Sequence, residues 1–267
     1  EQQEKSQVQQ LSDVSQMIED TRVFELRMNT DLSQFSEINS KSSTGVLLKA
    51  KLRDSQWVAV KLYKPHLFID SKLKAFKQEV RIHCCIRHQN LVNVLGVIIQ
   101  PPKIGIVMEY CAFGGSLHDR ICKKSLGNFS NKIKVLCSIA RAMEFLHHQN
   151  ICHYNLEPRH VLFDDDDEAR VTGFGIARLA HISLQHYLDA VQKKENDAVT
   201  MGTSTSHGDT RVNNNNNSAD DATTVNIFTA PEITRGELFT TKCDVFSFAM
   251  VSYEVLFETD KPYENQV

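Results

Sequence analysis

The chain has 267 residues, 41% of them hydrophobic, which is enough for one large or two-lobed globular domain. Its net charge of −3 at pH 7 provides no basic field for nucleic acid or for an anionic membrane surface. No apolar run approaches the roughly 20 residues that a membrane-spanning helix needs, and no signal-peptide pattern opens the chain. We therefore expect no nucleic-acid partner and no membrane segment.

Residues 1–21 are rich in Gln, Ser and Glu, and they repeat Leu11, Val14 and Ile18 at near-helical spacing. We expect a flexible linker or a short docking helix there. Because the chain begins at Glu1 and not at Met, we expect it to be part of a longer protein. The seven scattered cysteines contain no C-x-x-C pair, which favours reduced thiols in a cytoplasmic setting.

Short β-like runs dominate residues 22–111 and surround one predicted helix at Phe68–Arg87, which has an apolar and a polar face. Val58-Ala59-Val60-Lys61 lies on an alternating β run ahead of that helix. The run from Ile86 to Val97 follows the helix, and residues 104–111 are predicted to form a buried strand. This first part of the chain is thus predicted to be rich in β structure.

Residues 112–267 are predicted to be mainly helical. The apolar positions of Asn131–Gln149 keep a 3.6-residue period as far as His147-His148, which predicts a long helix. We attribute this histidine pair to the helix C-terminus, where cationic side chains suit the dipole, rather than to a metal site. The acidic run Asp164–Glu168 lacks the spacing of a calcium loop and indicates a solvated turn. A polar, asparagine-rich insert at about residues 190–224 is predicted to be disordered.

Residues 153–163 read H-Y-N-L-E-P-R-H-V-L-F, and residues 173–175 read Gly173-Phe174-Gly175. The first run resembles the H-R-D-L-x-x-x-N loop of protein kinases, and the second resembles their D-F-G turn. Over roughly residues 30–265, the chain resembles protein kinases of the tyrosine-kinase-like group. Ala230-Pro231-Glu232 and Asp244–Ala249 match later kinase motifs in order and spacing. The resemblance implies an α+β, bilobal protein-kinase-like fold. It would have a β-rich N-lobe with helix C at residues 22–111, and a helical C-lobe at residues 112–267 that is incomplete after its central helix.

The resemblance also implies a nucleotide pocket between the lobes. Lys61 would pair with the phosphates and with the helix-C residue Glu79, and Met108 would be the gatekeeper. The full set of expected pocket residues is Val46, Ala59, Lys61, Glu79, Met108, Glu109, Cys111 and Leu162.

The glycine-rich loop that should cover the phosphates lacks its glycines. Asn39, Lys41 and Thr44 occupy the three positions, and side chains there should lift the loop away from a nucleotide. Gly45 is either a partial substitute or a hairpin residue.

The residues that would carry kinase chemistry are replaced. Asn155 stands at the position of the catalytic aspartate and cannot accept a proton from a substrate hydroxyl. His160 and Gly173 stand at the two metal-ligand positions, and Glu157 replaces the lysine that neutralises the transferred phosphate. We therefore expect no metal site and no phosphoryl transfer.

The packing residues of a kinase are retained. The expected interlobe stack consists of His83, Val94, His153 and Phe174, anchored by Asp244. These residues predict a kinase-shaped body in which the two lobes stay in contact.

The resemblance and the losses together imply a catalytically inactive pseudokinase that acts as a signalling scaffold or allosteric partner. Its partner would be another protein, such as an active kinase, and it would require no cofactor. The alternative is a switch that binds ATP without Mg²⁺ through Lys61, Glu79 and the hinge. Two further hypotheses are a divergent active serine/threonine or tyrosine kinase that uses His160 or Glu157, and a decayed copy that does not fold alone.

Overall fold

Two lobes of different secondary structure make up the computed structural model, which describes residues 24–39, 45–63, 80, 82–100, 103–111, 115–174, 177–179, 227–235 and 240–259. The first lobe is a β-sheet and the second is mainly helical, which confirms the expected α+β, bilobal fold. The predicted extension at residues 1–21, the insert at about 190–224 and most of the helix Phe68–Arg87, with Glu79, lie outside these ranges. Within them, every helix is too short or too polar to span a bilayer.

One six-stranded sheet forms the N-terminal lobe. Its strands are β1 (Phe24–Glu25), β2 (Leu32–Asn39), β3 (Gly45–Leu52), β4 (Gln56–Tyr63), β5 (Val94–Gln100) and β6 (Lys103–Glu109). Their spatial order is β1-β5-β6-β4-β3-β2, with β1 and β5 parallel and the other neighbours antiparallel. Val58, Ala59 and Val60 of β4 are all buried, because this strand lies inside the sheet and is covered on both faces.

Strands β3 and β4 form a hairpin whose register runs from the Gly45–Tyr63 pair to the Leu52–Gln56 pair. Arg53 turns the chain with a positive φ of 47°, and the next residue also has a positive φ, as tight hairpin turns require. Residues directly opposite each other in an antiparallel pair share a face of the sheet. The hairpin register therefore decides which side chains of β3 lie on the same face as Lys61.

A short helical segment, residues 82–85, is followed by a loop that contacts the C-terminal lobe before the chain returns to β5 of the sheet. It ends two residues before the predicted Arg87, because the chain then turns: the N–H of Asn90 donates to Nδ1 of His88 at 3.1 Å. The side-chain amide of Asn90 donates to the carbonyl of Ala169 at 3.1 Å. This segment is thus fastened to the C-terminal lobe.

Within the described residues, the C-terminal lobe contains two long helices and two small two-stranded sheets. Its helices are α1 (Leu117–Cys122), α2 (Phe129–His148), α3 (Pro231–Thr234) and α4 (Lys242–Phe257), and its strands are β7 (Ile151–Cys152), β8 (Val161–Phe163), β9 (Ala169–Val171) and β10 (Arg178–Leu179). Strand β8 pairs with β9, and β7 pairs with β10. Ser116 and Asp119 form a capping box at the start of α1, and Asn128 caps α2. The long helix predicted at Asn131–Gln149 is confirmed as α2.

The apolar cores of the two lobes interlock. Ile82 and Ile86 of the first lobe are buried in the C-terminal core together with Leu146 and Phe174. In the opposite direction, Leu162 of β8 packs against the core of the sheet. Because apolar burial stabilises by about 25 cal/mol per Å², this exchange of side chains favours one arrangement of the lobes.

Candidate functional site

A buried aspartate holds the start of the segment at residues 153–163. Asp244, in the first turn of α4, is 1% exposed. Its Oδ2 accepts the backbone N–H of His153 at 2.8 Å and Nε2–H of His147 at 2.9 Å, and its Oδ1 accepts the backbone N–H of Tyr154 at 2.8 Å. Tyr154 has a φ of +59°, which L residues seldom adopt, so these bonds hold the backbone in an otherwise unfavourable conformation.

His147 does more than the sequence suggested. We expected it only to suit the dipole of α2, yet it links α2 to Asp244 of α4. The anchor therefore joins three elements, because the segment 153–154 and both long helices meet at one carboxylate.

Three aromatic rings stack through the boundary between the lobes. The ring of Phe174 lies 4.3 Å from that of His83 and 4.9 Å from that of His153, measured between centroids. All three are at most 3% exposed, and Val94 is buried in the neighbouring core. The predicted stack is therefore confirmed for His83, Phe174 and His153, with the backbone of His153 anchored on Asp244.

The imidazole of His153 is held in its neutral form. Its Nε2–H donates to the carbonyl of Thr172 at 2.9 Å, while its Nδ1 accepts the N–H of Asn155 at 3.2 Å. This pair of bonds fixes the tautomer. Burial lowers the pKa of His153 to about 4, although the nearby carboxylate of Asp244 acts in the opposite direction.

Asn155 and His160, predicted at the positions of a catalytic base and a metal ligand, are bonded to each other. Nδ1–H of His160 donates to the carbonyl of Asn155 at 2.8 Å, and the same nitrogen lies 3.5 Å from Oε1 of Glu157. The side-chain amide of Asn155 makes a long contact of 3.5 Å with the carbonyl of Gly173. These polar groups satisfy one another, and the amide of Asn155 is a donor here and has no basic site for a proton.

Gly173 and the ring of His160 share one space. Gly173 has a φ of +94°, and a Cβ added to it would lie 2.6 Å from Cγ and 2.8 Å from Cδ2 of His160. Both distances are well inside the van der Waals contact of carbon atoms. The imidazole therefore occupies the volume in which a side chain at position 173 would begin, so the two replacements form a single packing arrangement.

This arrangement does not fit the magnesium ion that the resemblance to kinases implies. Mg²⁺ requires oxygen ligands in near-octahedral geometry, and carboxylates usually supply them. Here Gly173 has no side chain and His160 is a nitrogen donor already bonded to Asn155. Across the described residues, no group of three or more His, Cys, Asp or Glu side chains is placed to hold a metal.

The hairpin register places Leu47, and not Val46, in the cleft between the lobes. Leu47 pairs with Lys61 and so shares its face of the sheet, whereas Val46 pairs with Leu62 and points to the other face. Leu47 also packs against the core that contains Met108. The position expected for Val46 thus belongs to Leu47, one residue further along the chain.

The same one-residue shift assigns Gly45 to the last glycine position of the glycine-rich loop. Gly45 is buried at the start of β3, and a Cβ there would overlap the carbonyl oxygen of Leu62. Counting the glycine-rich loop from Gly45 places Ser40 and Ser42 at its other glycine positions, and both lie outside the described residues. The spacing from Gly45 to Leu47 matches the G-x-V ending of that loop and could have revealed this register.

Four of the other predicted pocket residues lie together in the structure. Ala59 pairs with Met108 across β4 and β6, and Cys111 and Leu162 join the same apolar cluster as Met108. The ammonium of Lys61 lies 4.8 Å from the ring centroid of Tyr63, and its predicted partner Glu79 is outside the described residues. Burial raises the pKa of the Cys111 thiol to about 12, so this cysteine is not a reactive thiolate.

Two glutamates have side-chain partners that the sequence did not indicate. The carboxylate of Glu109, one of the expected pocket residues, is paired with Arg170 at 3.0 Å. Glu232 of α3 accepts the Cys243 thiol at 3.3 Å, and burial raises the pKa of that thiol to about 11. The first contact joins residues 61 positions apart in the chain, and the second joins α3 to α4.

Comparison with known proteins gives a consistent result. The sequence profile described as protein tyrosine and serine/threonine kinase matches residues 33–201 and 194–267. The serine/threonine-protein kinase STY46 of Arabidopsis thaliana is 31% identical over 79% of this chain and 31% of its own length. The putative serine/threonine-protein kinase/receptor R831 of Acanthamoeba polyphaga mimivirus is 29% identical over 80% of this chain and 11% of its own length.

A third relative is described as an integrin-linked kinase. Integrin-linked protein kinase 1 of Arabidopsis thaliana is 26% identical over 82% of this chain and 42% of its own length. The chain thus spans less than half the length of each of these three relatives.

Proposed function

We propose a non-catalytic function for this chain, which belongs to the protein tyrosine and serine/threonine kinase family. In this proposal it is a pseudokinase of the tyrosine-kinase-like group that serves as a signalling scaffold or allosteric partner. The observation that carries the proposal is the packing of the His160 ring against Gly173, at the positions of the two metal ligands. The stack of His83, Phe174 and His153 supports it, because these rings form a packing contact between the lobes.

The chemistry of phosphoryl transfer supports the same conclusion. Transfer depends on the positioning of the reactants and on neutralisation of charge by metal ions. A general base contributes about 10²–10⁴ in rate, and Asn155 cannot act as one. Metal ions contribute on the order of several kcal/mol of charge stabilisation, which the pair of His160 and Gly173 does not provide. Glu157 adds negative charge where the transferred phosphate would pass.

A protein partner is the ligand we propose, and an active kinase is the partner class that an allosteric role requires. No cofactor is needed for this role. All seven cysteines lie in the described residues and none forms a disulfide, and four of them are buried, which suits a reducing compartment such as the cytoplasm.

A second candidate function, a switch that binds ATP without Mg²⁺, rests on the pocket. Ala59, Met108 and Leu162 lie together, and Leu47 takes the pocket position that was expected for Val46. Gly45 permits one close approach between backbone segments. Lys61 lies on the same face of the sheet as Leu47, and its ammonium is the group that would meet a phosphate.

A phosphotransfer assay tests the main proposal. The full chain is incubated with labelled ATP, a general protein substrate and either Mg²⁺ or Mn²⁺, beside the Lys61→Met variant. We expect both proteins to give the same background. Transfer that the full chain performs and Lys61→Met abolishes would refute the proposal.

A thermal-shift titration with ATP, with and without Mg²⁺, distinguishes the two candidates. A ligand that binds only the folded state raises the unfolding midpoint as its concentration rises. A scaffold that binds no nucleotide shows no rise at millimolar ATP, whereas the switch shows the same rise with and without the metal. If a rise occurs, Leu47→Ala should reduce it and Val46→Ala should not, because only Leu47 shares the face of Lys61.

A further inference from the structure

Two lysines and two aromatic rings form a cluster on one face of the N-terminal sheet. The ammonium of Lys49 lies 4.3 Å from the ring centroid of Trp57 and 4.5 Å from that of Tyr110, the residue that follows β6. The ammonium of Lys51 lies 5.6 Å from the ring centroid of Trp57. We call these four residues the lysine–tryptophan cluster.

The strand register of the β3–β4 hairpin builds this cluster. Lys49 and Lys51 are two residues apart on β3, so their side chains lie on the same face of the sheet. Trp57 is directly opposite Lys51, and Ala59 is directly opposite Lys49. Because the side chain of Ala59 is small, the stem of Lys49 can cross β4 toward Tyr110 on the far side of that strand.

Within the part of the chain that the structure describes, no carboxylate lies within 4.0 Å of either ammonium group. The ion pair of this hairpin uses a different cation, Arg53, which lies 3.4 Å from Asp31. An aromatic ring attracts a lysine ammonium but accepts none of its N–H groups in a strong hydrogen bond. The two rings therefore hold Lys49 in position and leave its N–H groups able to bind an anion, which lowers the entropic cost of binding.

Trp57 gives the cluster an apolar surface that a ligand can cover. Its side chain is 42% exposed, whereas Lys49, Lys51 and Tyr110 are half-buried. A single exposed aromatic residue is common on protein surfaces and needs no explanation by itself. Trp57 differs because two ammonium groups without carboxylate partners lie beside its ring, and tryptophan with cationic neighbours is typical of the centre of a binding surface.

The size and spacing of the cluster favour an extended acidic peptide as the ligand. The net charge of −3 provides no broad basic field of the kind that nucleic acid or an anionic membrane attracts, so the positive charge is local. Two residues of a β-strand span about 6.8 Å, and alternate side chains of any extended peptide have the same spacing. Carboxylates at every second position of such a peptide therefore match Lys49 and Lys51.

We propose that the lysine–tryptophan cluster binds an extended acidic segment of a protein partner, in which every second residue is aspartate or glutamate. Lys49 and Lys51 each pair with one carboxylate, and the indole of Trp57 packs against the partner segment beside them. The biological role of this site rests on the proposed scaffold function. The binding itself involves no ATP and no phosphoryl transfer, so it can be measured separately from that function.

Fluorescence quenching of the unmodified full chain tests the local charge. Trp57 is the only tryptophan, so its emission reports on the cluster alone. The quenching constants of iodide and caesium are each divided by the constant for free N-acetyltryptophanamide. We expect the iodide ratio to exceed the caesium ratio by about threefold or more, because two nearby cations attract an anion and repel a cation. Equal ratios would overturn the proposal, and this measurement needs no variant that might fail to fold.

A titration of the full chain with peptides at low salt tests the ligand class, with Trp57 emission as the readout. We expect saturable binding of SESESESE, no binding of its uncharged counterpart SQSQSQSQ, and weaker binding as salt is added. The peptide SEESSEES has the same charge but no two glutamates two residues apart, so it should bind about fivefold more weakly or worse. Equal affinity for the two acidic peptides would overturn the proposed spacing.

Substitutions assign the binding to the cluster. Lys51→Gln should weaken binding of SESESESE by about fivefold or more, since one of two ion pairs is lost. Lys103→Gln is the matched control, because Lys103 is a lysine of the same sheet at the start of β6, away from Trp57. Lys51→Glu should bind SESESESE still more weakly than Lys51→Gln does, because it places a negative charge beside the peptide. Equal affinities of the Lys51 and Lys103 variants would overturn the site.

Two further probes test the choice of a peptide. Vesicles of phosphatidylserine and phosphatidylcholine, and an oligothymidylate, are titrated under the same conditions. Tighter binding of either probe than of SESESESE would overturn the assignment to an acidic peptide. A chain that transfers phosphate and also binds SESESESE through Lys51 would lose the proposed scaffold function and keep this site, so the two failures are distinguishable.

Discussion

Two adjoining parts of the segment at residues 153–163 are held by different kinds of interaction. The first part, His153 and Tyr154, is fixed through backbone N–H groups that donate to Asp244. The second part, from Asn155 to His160, is fixed by its own replaced side chains and by their fit to Gly173. The first part would look the same in a chain with different side chains, whereas the second depends on which side chains are present.

This difference shows that the kinase frame and kinase chemistry rest on separate interactions. A buried carboxylate that binds backbone groups fixes a loop without reference to the reacting residues. The reacting positions can then be filled by side chains that only pack. Because the loop is fixed separately from the reacting positions, substitutions at Asp244 should lower the free energy of unfolding most. Substitutions at Gly173 should have smaller effects that depend on His160.

The largest effect is expected from Asp244→Ala. The substitution leaves the N–H groups of His153 and Tyr154 and Nε2–H of His147 without their acceptor in a buried site. Removing one partner of such a buried network costs about 4 kcal/mol. Chemical unfolding should show a lower free energy of unfolding by this amount.

The control for Asp244 is Asp166→Ala, since Asp166 is an exposed residue of the acidic turn. It should change the free energy of unfolding by less than about 0.5 kcal/mol. Equal losses for the two variants would mean that the Asp244 anchor is not what holds the frame.

A smaller effect is expected from acid. His153 has a pKa of about 4 in the folded chain, against an ordinary value of 6.5, so between these values the unfolded chain binds more protons. The contribution of His153 to the free energy of unfolding is therefore complete above pH 6.5, and it is lost as the pH falls toward 4. At about 1.4 kcal/mol per pH unit, the loss from this one group reaches about 3 kcal/mol.

The pH dependence is assigned to His153 by substitution. His153→Gln can still donate to the carbonyl of Thr172 but takes up no proton, so the slope of unfolding free energy against pH should fall by nearly one proton in this range. His148→Gln is the control, because His148 is 77% exposed. An unchanged slope in His153→Gln would show that another group causes the acid sensitivity.

Much of the fold could be predicted because it depends on order and spacing. The long helix α2 follows from a 3.6-residue apolar period, and the two lobes follow from motifs that occur in kinase order. The stack around Phe174 could be predicted for the same reason, since each member is placed by its motif.

The remainder could not be predicted, for physical reasons that differ from place to place. Side chains alternate along a strand, so misjudging the loop by one residue exchanged Val46 for Leu47. The contact of His160 with Gly173 is a matter of shape, and the sequence shows only two separate replacements. Arg170 and Glu109 are 61 residues apart, and no local pattern connects them.

The smallest of the three effects concerns Gly173→Asp, which restores the kinase residue at that position. An aspartate tolerates a φ of +94° poorly, and its Cβ would meet the ring of His160. We expect a loss of about 2 kcal/mol in the free energy of unfolding, as is usual for overpacking. Gly127→Asp is the matched control: Gly127 also has a positive φ, of 80°, but its Cβ would meet only the movable end of Asn131.

The double variant Gly173→Asp with His160→Asn decides whether the two residues are a matched pair. Asparagine removes the ring from the volume that the new carboxylate needs, so the double variant should lose less stability than the sum of the two single variants. It also places an amide and a carboxylate oxygen where Mg²⁺ can be bound, whereas Gly173→Asp alone leaves the ring in the way. Additive losses would show that His160 does not fill the space of a side chain at position 173, and the separation between frame and chemistry would then lack its clearest support.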